Sequence, residues 1–371
     1  MPVSLDITIL LAMRANQEFI MVLLSTHENK NDFASRLAAF RATNHGARPY
    51  DIAQAMEVSE LQVLLHSGES MATTIIDTTW PDLFDKIPSL GRCMALTRND
   101  STVSEVKGTY GKASFHGPMG LVHHDTIDLR LFSSNWAFSV AVEQQKGGDI
   151  LRSIQIFDKH GKAVHKIYPQ GISDAAWDEF VSGFKVRTIA MSDILPPLEA
   201  AKLSAVRDFD VEKLKDDWSK LQDTHDFHML LGSHKIGRLP AFEVVGEEFA
   251  RKVDINVLVD VLQAARKEEI KFMIFVGNGR MIQIRSGTIK ETRTLGSWFN
   301  ILDPDFNLHV NMSKLESAWI VNKPSRHGLV RSVEVFDAQG EVAVTLFGYR
   351  TEELAVDPKW SELLDRVVPQ V

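Results

Sequence analysis

The chain repeats itself at an offset of 179 residues, and this spacing limits it to folds made from two copies of one unit. Residues 150–158 read ILRSIQIFD before KHG, and residues 329–337 read LVRSVEVFD before AQG, which sets Arg152 against Arg331. Gly108-Thr109 returns as Gly287-Thr288 at the same offset, and Ile127-Asp128-Leu129-Arg130 faces Phe306-Asn307-Leu308-His309. Trp177 and Trp360 close the two copies 183 residues apart. Solenoid repeats run to about 20–50 residues, so this period points to a duplicated domain. A length of 371 residues agrees, being too great for one ordinary core.

Both copies read alike. Helical segments come first, at 31–65 and 211–266, followed by short alternating strands separated by turn residues. GRCMALTRND, TVSEVKGTY, GLVHH, TIDLRLF, WAFSVAV and RSIQIFD are the strands of the first copy. IKFMIFVG, MIQIRSG, WFNIL, NLHVN, AWIVN and RSVEVFD are those of the second. A helix ends each copy, near 174–184 and 358–367. The expected fold is therefore α+β, a tandem duplication of two similar halves, each a large antiparallel sheet flanked by helices. The expected boundaries are an N-terminal extension over 1–33, a first repeat over 34–189, a linker over 190–215 and a second repeat over 216–371. Pro196-Pro197 marks the linker, since such a pair does not fit inside a regular element.

Charge and cysteine content exclude several functions. A net charge of -8 argues against a general nucleic-acid binder. The single cysteine, Cys93, rules out a disulfide within the chain, a paired-cysteine zinc site and a Cys-x-x-Cys-His haem attachment, and it fits a reducing cytoplasm. Leu5–Leu24 is apolar but carries Asp6, Arg14, Asn16, Gln17 and Glu18, so an amphipathic helix or a poorly conditioned extension is expected rather than a membrane span. It has neither the basic start nor the cleavage site of a signal peptide, and Met21 is an alternative initiator.

P-loop, dinucleotide-binding, nucleophile-elbow and His-Glu-x-x-His patterns are missing from the sequence. Gly277-Asn278-Gly279 reads as a hairpin turn. The segment DTHDFHMLLGSH (223–234) reads as a helix capped by Asp223 or Thr224. Phe227, Leu230 and Leu231 share one side of it, with His225, His228, Met229 and Gly232 on another. Gly232 leaves room beside His225 for something flat, and a neutral imidazole with space on one side is what a haem iron needs. Two histidines decorating a surface helix is the commoner meaning of such a pattern. In TIDLRLF, alternation puts Asp128, Arg130 and Phe132 on one face. Arg130 there is a solvated or ion-paired side chain, or a donor to a ligand. His309, its counterpart in the second copy, reads as a satisfied strand histidine. Lys323 and Arg238 read as surface charges or as partners of an anionic ligand.

These residues bring a family into view. The sequence resembles the hemin-degrading factors, the HemS-like hemin transport proteins of bacterial haem uptake. The resemblance runs from about residue 34 onward through ARPYDIAQAMEVSE, IDLRLFSSNWAFSV, SIQIFDKHGKAVHKIY, DTHDFHMLL, WFNILDPDFNLHV, AWIVNKPS and VEVFDAQGEVAVTLFGYR. It implies haem held between a helix of the C-terminal half and the sheet of the N-terminal half. It assigns His225 as the axial ligand of the haem iron and Arg130 as the distal, catalytic arginine, with Arg238, Phe275 and Lys323 lining the pocket or meeting the propionates. Two positions depart from the family pattern: Ser104 stands where members carry histidine in Val-His-Glu, and Phe347 where some carry tyrosine. The resemblance implies a cytoplasmic protein that opens the haem ring oxidatively and releases iron, with electrons from an external donor. Its alternative is a non-catalytic carrier that delivers haem to a separate oxygenase. The implied partners are haem, an inner-membrane haem importer and a haem oxygenase or reductase; neither nucleic acid nor a place within the membrane is expected. A protein of this fold that binds no haem is the third reading.

Overall fold

The computed structural model describes residues 30–68, 71–124, 126–196, 210–350 and 357–368. The expected amphipathic helix at Leu5–Leu24 lies outside them, as do 197–209 of the expected linker. The chain forms two compact units that divide between Glu69 and Ser70.

In the first unit, α1 (Lys30–Thr43), α2 (Pro49–Met56) and α3 (Glu60–Leu65) pack around Phe33, Leu37, Ile52, Ala53 and Val63. Proline at the first position of α2 has a fixed φ that suits a helix start and no N–H to satisfy. Ser59 and Gln62 form a reciprocal capping box on α3.

The second unit holds two antiparallel sheets. Its N-terminal half supplies β1 (Met71–Asp77), α4 (Trp80–Lys86), β2 (Arg92–Arg98), β3 (Thr102–Thr109), β4 (Ala113–His116), β5 (Met119–His124), β6 (Ile127–Phe132), β7 (Trp136–Lys146), β8 (Asp149–Asp158), β9 (Ala163–Pro169), α5 (Asp174–Ser182) and β10 (Lys185–Val186). Its C-terminal half supplies α6 (Val211–Ser219), a 3-10 turn at Thr224–Asp226, α7 (Phe227–Ser233), α8 (Arg238–Val244), β11 (Ala250–Val253) and α9 (Val257–Lys267). These are followed by β12 (Phe272–Gly277), β13 (Met281–Gly287), β14 (Thr292–Leu295), β15 (Trp298–Asp303), β16 (Phe306–Asn311), β17 (Leu315–Ser325), β18 (Gly328–Asp337), β19 (Val342–Gly348) and α10 (Pro358–Val367). The expected helical stretch 211–266 is corrected in one place: Ala250–Val253 is a strand, held antiparallel to β17. The terminal helices fall where the sequence puts them.

One sheet has ten strands in the order β10-β1-β7-β8-β9-β2-β3-β16-β15-β14, and the other has nine in the order β11-β17-β18-β19-β12-β13-β6-β5-β4. Two similar antiparallel halves with flanking helices are thus present, but each half lends three strands to the other's sheet. Leu131 of β6 pairs with Met281, and Val310 of β16 pairs with Thr102, the same register one repeat on. The two hairpin asparagines show the symmetry in hydrogen bonds. Asn99 donates from Nδ2 to the carbonyls of Gly277 and Ala343 (3.0 and 2.8 Å), and Asn278 donates to those of Arg98 and Val164 (3.3 and 2.9 Å). Every one of these partners is displaced by 179 residues. The Gly277-Asn278-Gly279 hairpin forms as expected, with Gly279 at φ +74°, where a side chain would be strained.

The inner faces of both sheets share one apolar core with α4, α5, α9 and α10, including Ile127, Leu129, Leu131, Ile274 and Trp360. A smaller core covers one end of the outer face of the nine-stranded sheet. There α6, α7 and α8 place Leu214, Trp218, Phe227, Leu231 and Phe242 on Trp319, Val321 and Phe336. Among the described residues, no helix is long and apolar enough to cross a membrane.

Candidate functional site

The outer face of the nine-stranded sheet gathers the site residues by register. Arg130 pairs with Ile282 and Leu121, and Asp128 pairs with Ile284. Ile284 pairs with Phe275, Phe275 with Thr345, and Thr345 with Glu334. Phe347 and Lys323 continue the same face. Antiparallel partners point to one side of a sheet, so Arg130, Phe275, Phe347, Glu334 and Lys323 all look outward together. Phe275 and Phe347 meet edge to face with ring centres 5.0 Å apart. Both rings and Ile282 are only partly buried, which leaves an apolar shelf beside the helices.

His225 stands in a turn that Thr224 and Arg350 tie to this shelf. Phe227 and Leu231 bury the core side of α7, as the helical wheel indicates, while His228 and Met229 stay exposed. His225 lies one step earlier, in the 3-10 turn capped by Asp223. Asp223 Oδ1 accepts from the His225 backbone N–H at 2.9 Å and lies 2.7 Å from its ring Nδ1. These two contacts, led by the backbone one, hold the Asp223 carboxyl below its ordinary range. The His225 side chain is 80% exposed, so its Nε2 side is open. A methyl group built on Gly232 would meet no atom within 4 Å, and packing within the chain gives no reason for a glycine there. Thr224 ties this turn to the shelf: Arg350 Nη1 donates to Thr224 Oγ1 at 3.0 Å, and the Arg350 guanidinium lies 5.7 Å from the Phe347 ring centre. Burial lowers the Arg350 pKa from its ordinary value.

Lys323 and Arg238 are organised around a residue that the sequence does not single out. Glu334 is fully buried; its Oε1 accepts from Lys323 Nζ and from Ser332 Oγ (3.1 Å), and its Oε2 accepts from Arg238 Nη1 (2.7 Å). Burial pulls the Lys323 ammonium down to about 8, against the pull of Glu334. Burial would raise the Glu334 carboxyl, but the charges of Lys323 and Arg238 outweigh it and hold it well below the carboxylate range. The Phe227 ring lies between the cations, 4.5 Å from Lys323 Nζ and 5.3 Å from Arg238 Cζ. Lys323 is thus a buried ion, not a surface charge, and the trio keeps one net positive charge below the shelf edge. Arg350 does not stand out in the sequence either, because it follows its strand in a segment without alternation. The substitution of Gln155 by Glu334 between the repeats is the one signal for the buried anion.

Other expected residues fall as follows. Arg130 forms an ion pair with Asp128 of its own strand, and Asp128 also lies 3.4 Å from His123 Nδ1. The N-terminal-half sheet expected to face the histidine helix is corrected: Arg130 is on an N-terminal strand, but that strand belongs to the nine-stranded sheet of the C-terminal half. His309 Nδ1 lies 2.7 Å from Asn300 Oδ1, as a satisfied strand histidine should. Ser104 is buried and bonded to Gln283 Nε2 (3.1 Å), away from the shelf. His234 is fixed to Asp217 of α6 at 2.9 Å, which separates it from His225 and His228. Cys93 is buried and its thiol is pushed up to about 12, which makes it unreactive.

The shelf therefore suits a broad, flat, apolar ligand that carries anionic groups and takes a nitrogen ligand at one face. Comparison with known proteins agrees with this chemistry. The haemin-degrading HemS/ChuX domain family matches twice, at 57–184 and 235–367, restating the internal repeat. The hemin transport protein HemS of Yersinia enterocolitica is 32% identical over 329 residues, covering 88% of this chain and 94% of that protein. The crystal structure of holo-PhuS, a heme-binding protein from Pseudomonas aeruginosa, superposes with a TM-score of 0.82 at 35% identity, covering 90% of this chain and 97% of that one. ChuS, an E. coli heme oxygenase, superposes with a TM-score of 0.78 at 27% identity, covering 89% and 99%. With both repeats matched, this chain belongs to the haemin-degrading HemS/ChuX family.

Proposed function

We propose that this chain binds haem on the outer face of the nine-stranded sheet, with His225 Nε2 as the axial ligand of the iron, and opens the haem ring oxidatively. The exposed imidazole held on its other nitrogen by Asp223, beside the Phe275–Phe347 shelf, carries the reading. Haem fits these residues because its face is apolar and its two carboxylates need cations, which the partly exposed Arg238 and Arg350 would supply, with Lys323 buried behind them on Glu334. The relatives, a heme-binding protein and a heme oxygenase by name, belong to the same chemistry.

When bound, haem supplies the redox chemistry with dioxygen and an external electron donor. His225 fixes the iron at the helix end of the shelf. Phe275 and Phe347 lie against apolar ligand surface and exclude water. Arg130 turns its guanidinium toward the outer face and would supply hydrogen-bond donors to the bound haem there. Product release then frees iron in the cytoplasm, downstream of an inner-membrane importer.

One observation favours a second reading, a carrier that hands haem to a separate oxygenase: the Arg130 guanidinium is already engaged by Asp128. Optical titration with hemin, followed by a reductant in air with catalase present, separates the two. A saturable one-to-one Soret band that decays to a linear tetrapyrrole spectrum supports degradation. A band that persists supports the carrier. His225→Ala is expected to weaken hemin binding and change the spin state of the iron, and an unchanged spectrum and affinity would remove His225 from the site. Arg130→Ala is expected to leave hemin bound and to slow ring opening by about 100-fold or more; an unchanged rate would leave Arg130 without a catalytic role.

A further inference from the structure

We infer that Asp223 is a positioning residue for the iron ligand: it fixes the His225 ring in the Nδ1–H tautomer and makes Nε2 a stronger donor to the haem iron. This rests on the haem-ligand reading above and deepens it.

The geometry gives the reasons. Asp223 Oδ1 takes two hydrogen bonds from one residue, the backbone N–H of His225 at 2.9 Å and its ring Nδ1 at 2.7 Å. An ionised carboxylate only accepts, so the ring proton sits on Nδ1 and the lone pair on Nε2. The backbone bond sets the position of the carboxylate, and the carboxylate sets the rotation of the ring. An exposed imidazole would otherwise sample several rotamers, so fixing it lowers the entropy lost on ligation. Carboxylates that accept from the far nitrogen of a metal-bound histidine hold its tautomer and orientation and strengthen its donation to the metal. Neither His228 nor His234 has this arrangement: His234 spends its Nε2 on Asp217, and His228 is an exposed residue of α7. Asp223 therefore also selects His225 among the three neighbouring histidines. Its position before the 3-10 turn makes it a capping residue, a structural role that has to be separated from the electronic one.

The test uses hemin with the full chain and four forms: wild type, Asp223→Asn, Asp223→Ala and His225→Ala. Asparagine keeps a good cap and an oxygen acceptor but removes the charge. The readouts are hemin affinity, the iron–histidine stretch in the resonance Raman spectrum of the ferrous complex, and the ferric/ferrous midpoint potential. Asp223→Asn is expected to shift the stretch to lower frequency and the potential to more positive values, with thermal stability unchanged. Asp223→Ala is expected to bind hemin about 10–100-fold more weakly as well. If both Asp223 variants match wild type in stretch and potential while His225→Ala loses the stretch, the ligand stands and the role of Asp223 is overturned. If His225→Ala keeps the wild-type stretch, the ligand assignment fails and the inference fails with it.

Discussion

The outer face of the nine-stranded sheet and its counterpart on the ten-stranded sheet descend from one pattern, yet they differ at the residues proposed to meet the ligand. One repeat earlier, Lys323, Glu334, Phe347 and Phe275 become Gln144, Gln155, Tyr168 and Leu96. The hydrogen bond from Ser332 to Glu334 persists in neutral form, between Gln155 Nε2 and Ser153 Oγ at 3.0 Å. The frame is kept and the charge is changed. The inner side shows the reverse. In the first repeat His165 sits buried between Thr97 (2.9 Å to Nδ1) and Tyr110 (2.7 Å to Nε2), and Thr97 also meets Gln283 of the second repeat at 2.9 Å. One repeat on, His165, Tyr110 and Thr97 become Val344, Ile289 and Val276. On the outer faces the second repeat carries charge, at Lys323 and Glu334, where the first has Gln144 and Gln155; in the core the first repeat is polar where the second is apolar.

The largest expected effect breaks the ligand-face half of this comparison. Glu334→Ala leaves two cations without their buried partner and is expected to cost about 3–5 kcal/mol. Gln155→Ala at the matching position is expected to cost about 1 kcal/mol. Thermal or denaturant unfolding measures both, and equal losses would show that the charge has no special weight.

Next comes acid. Burial lowers the His165 pKa to about 3, against 6.5 for the free side chain. Between these values the unfolded chain binds the extra proton and the folded chain does not. Stability from this site is therefore complete above about pH 6.5 and falls by about 1.4 kcal/mol for each unit below it. His165→Val, which installs the residue found at Val344, is expected to flatten this part of the stability–pH curve whatever its effect at neutral pH. An unchanged slope would place the acid sensitivity elsewhere.

The smallest effect has two signs. Gly232→Ala on exposed α7 is expected to stabilise the ligand-free chain by about 0.5–1 kcal/mol, since the new methyl meets nothing within 4 Å. The same change is expected to weaken hemin binding if the open space belongs to the ligand. Unaltered hemin affinity would leave Gly232 with no part in the site.

Much of this fold is readable in the sequence, for a physical reason. Strand alternation and a fixed 179-residue offset are local patterns, and so is the two-sided character of α7. The cap at Asp223 is local too, but the residue pattern alone reads His225 as a surface histidine, and only the family resemblance singles it out. Strand exchange is not local. β6 alternates in the same way whichever sheet takes it, and its partner lies 150 residues away, from Leu131 to Met281. Ala250–Val253 contains Arg251 and Lys252 and reads as part of a helical stretch; only pairing with β17 makes it a strand. Glu334 reads as one solvated residue in an alternating strand. It becomes a buried anion once β17 and α8 bring Lys323 and Arg238 to it. Lys323 is visible as a cation, but its burial depends on the same packing of β17, β18 and α8.

The exchange of hairpins also sets the order of events during synthesis. A ribosome adding about 5–20 residues each second needs roughly 8–30 s to pass from β6 to β13. Through that interval the nascent first repeat has two strand edges, at β3 and β6, waiting for partners that do not yet exist. Unpaired edges are templates for association with other chains, so the arrangement that gives each sheet three strands from the other half also creates a window in which this protein is exposed to aggregation and to chaperones.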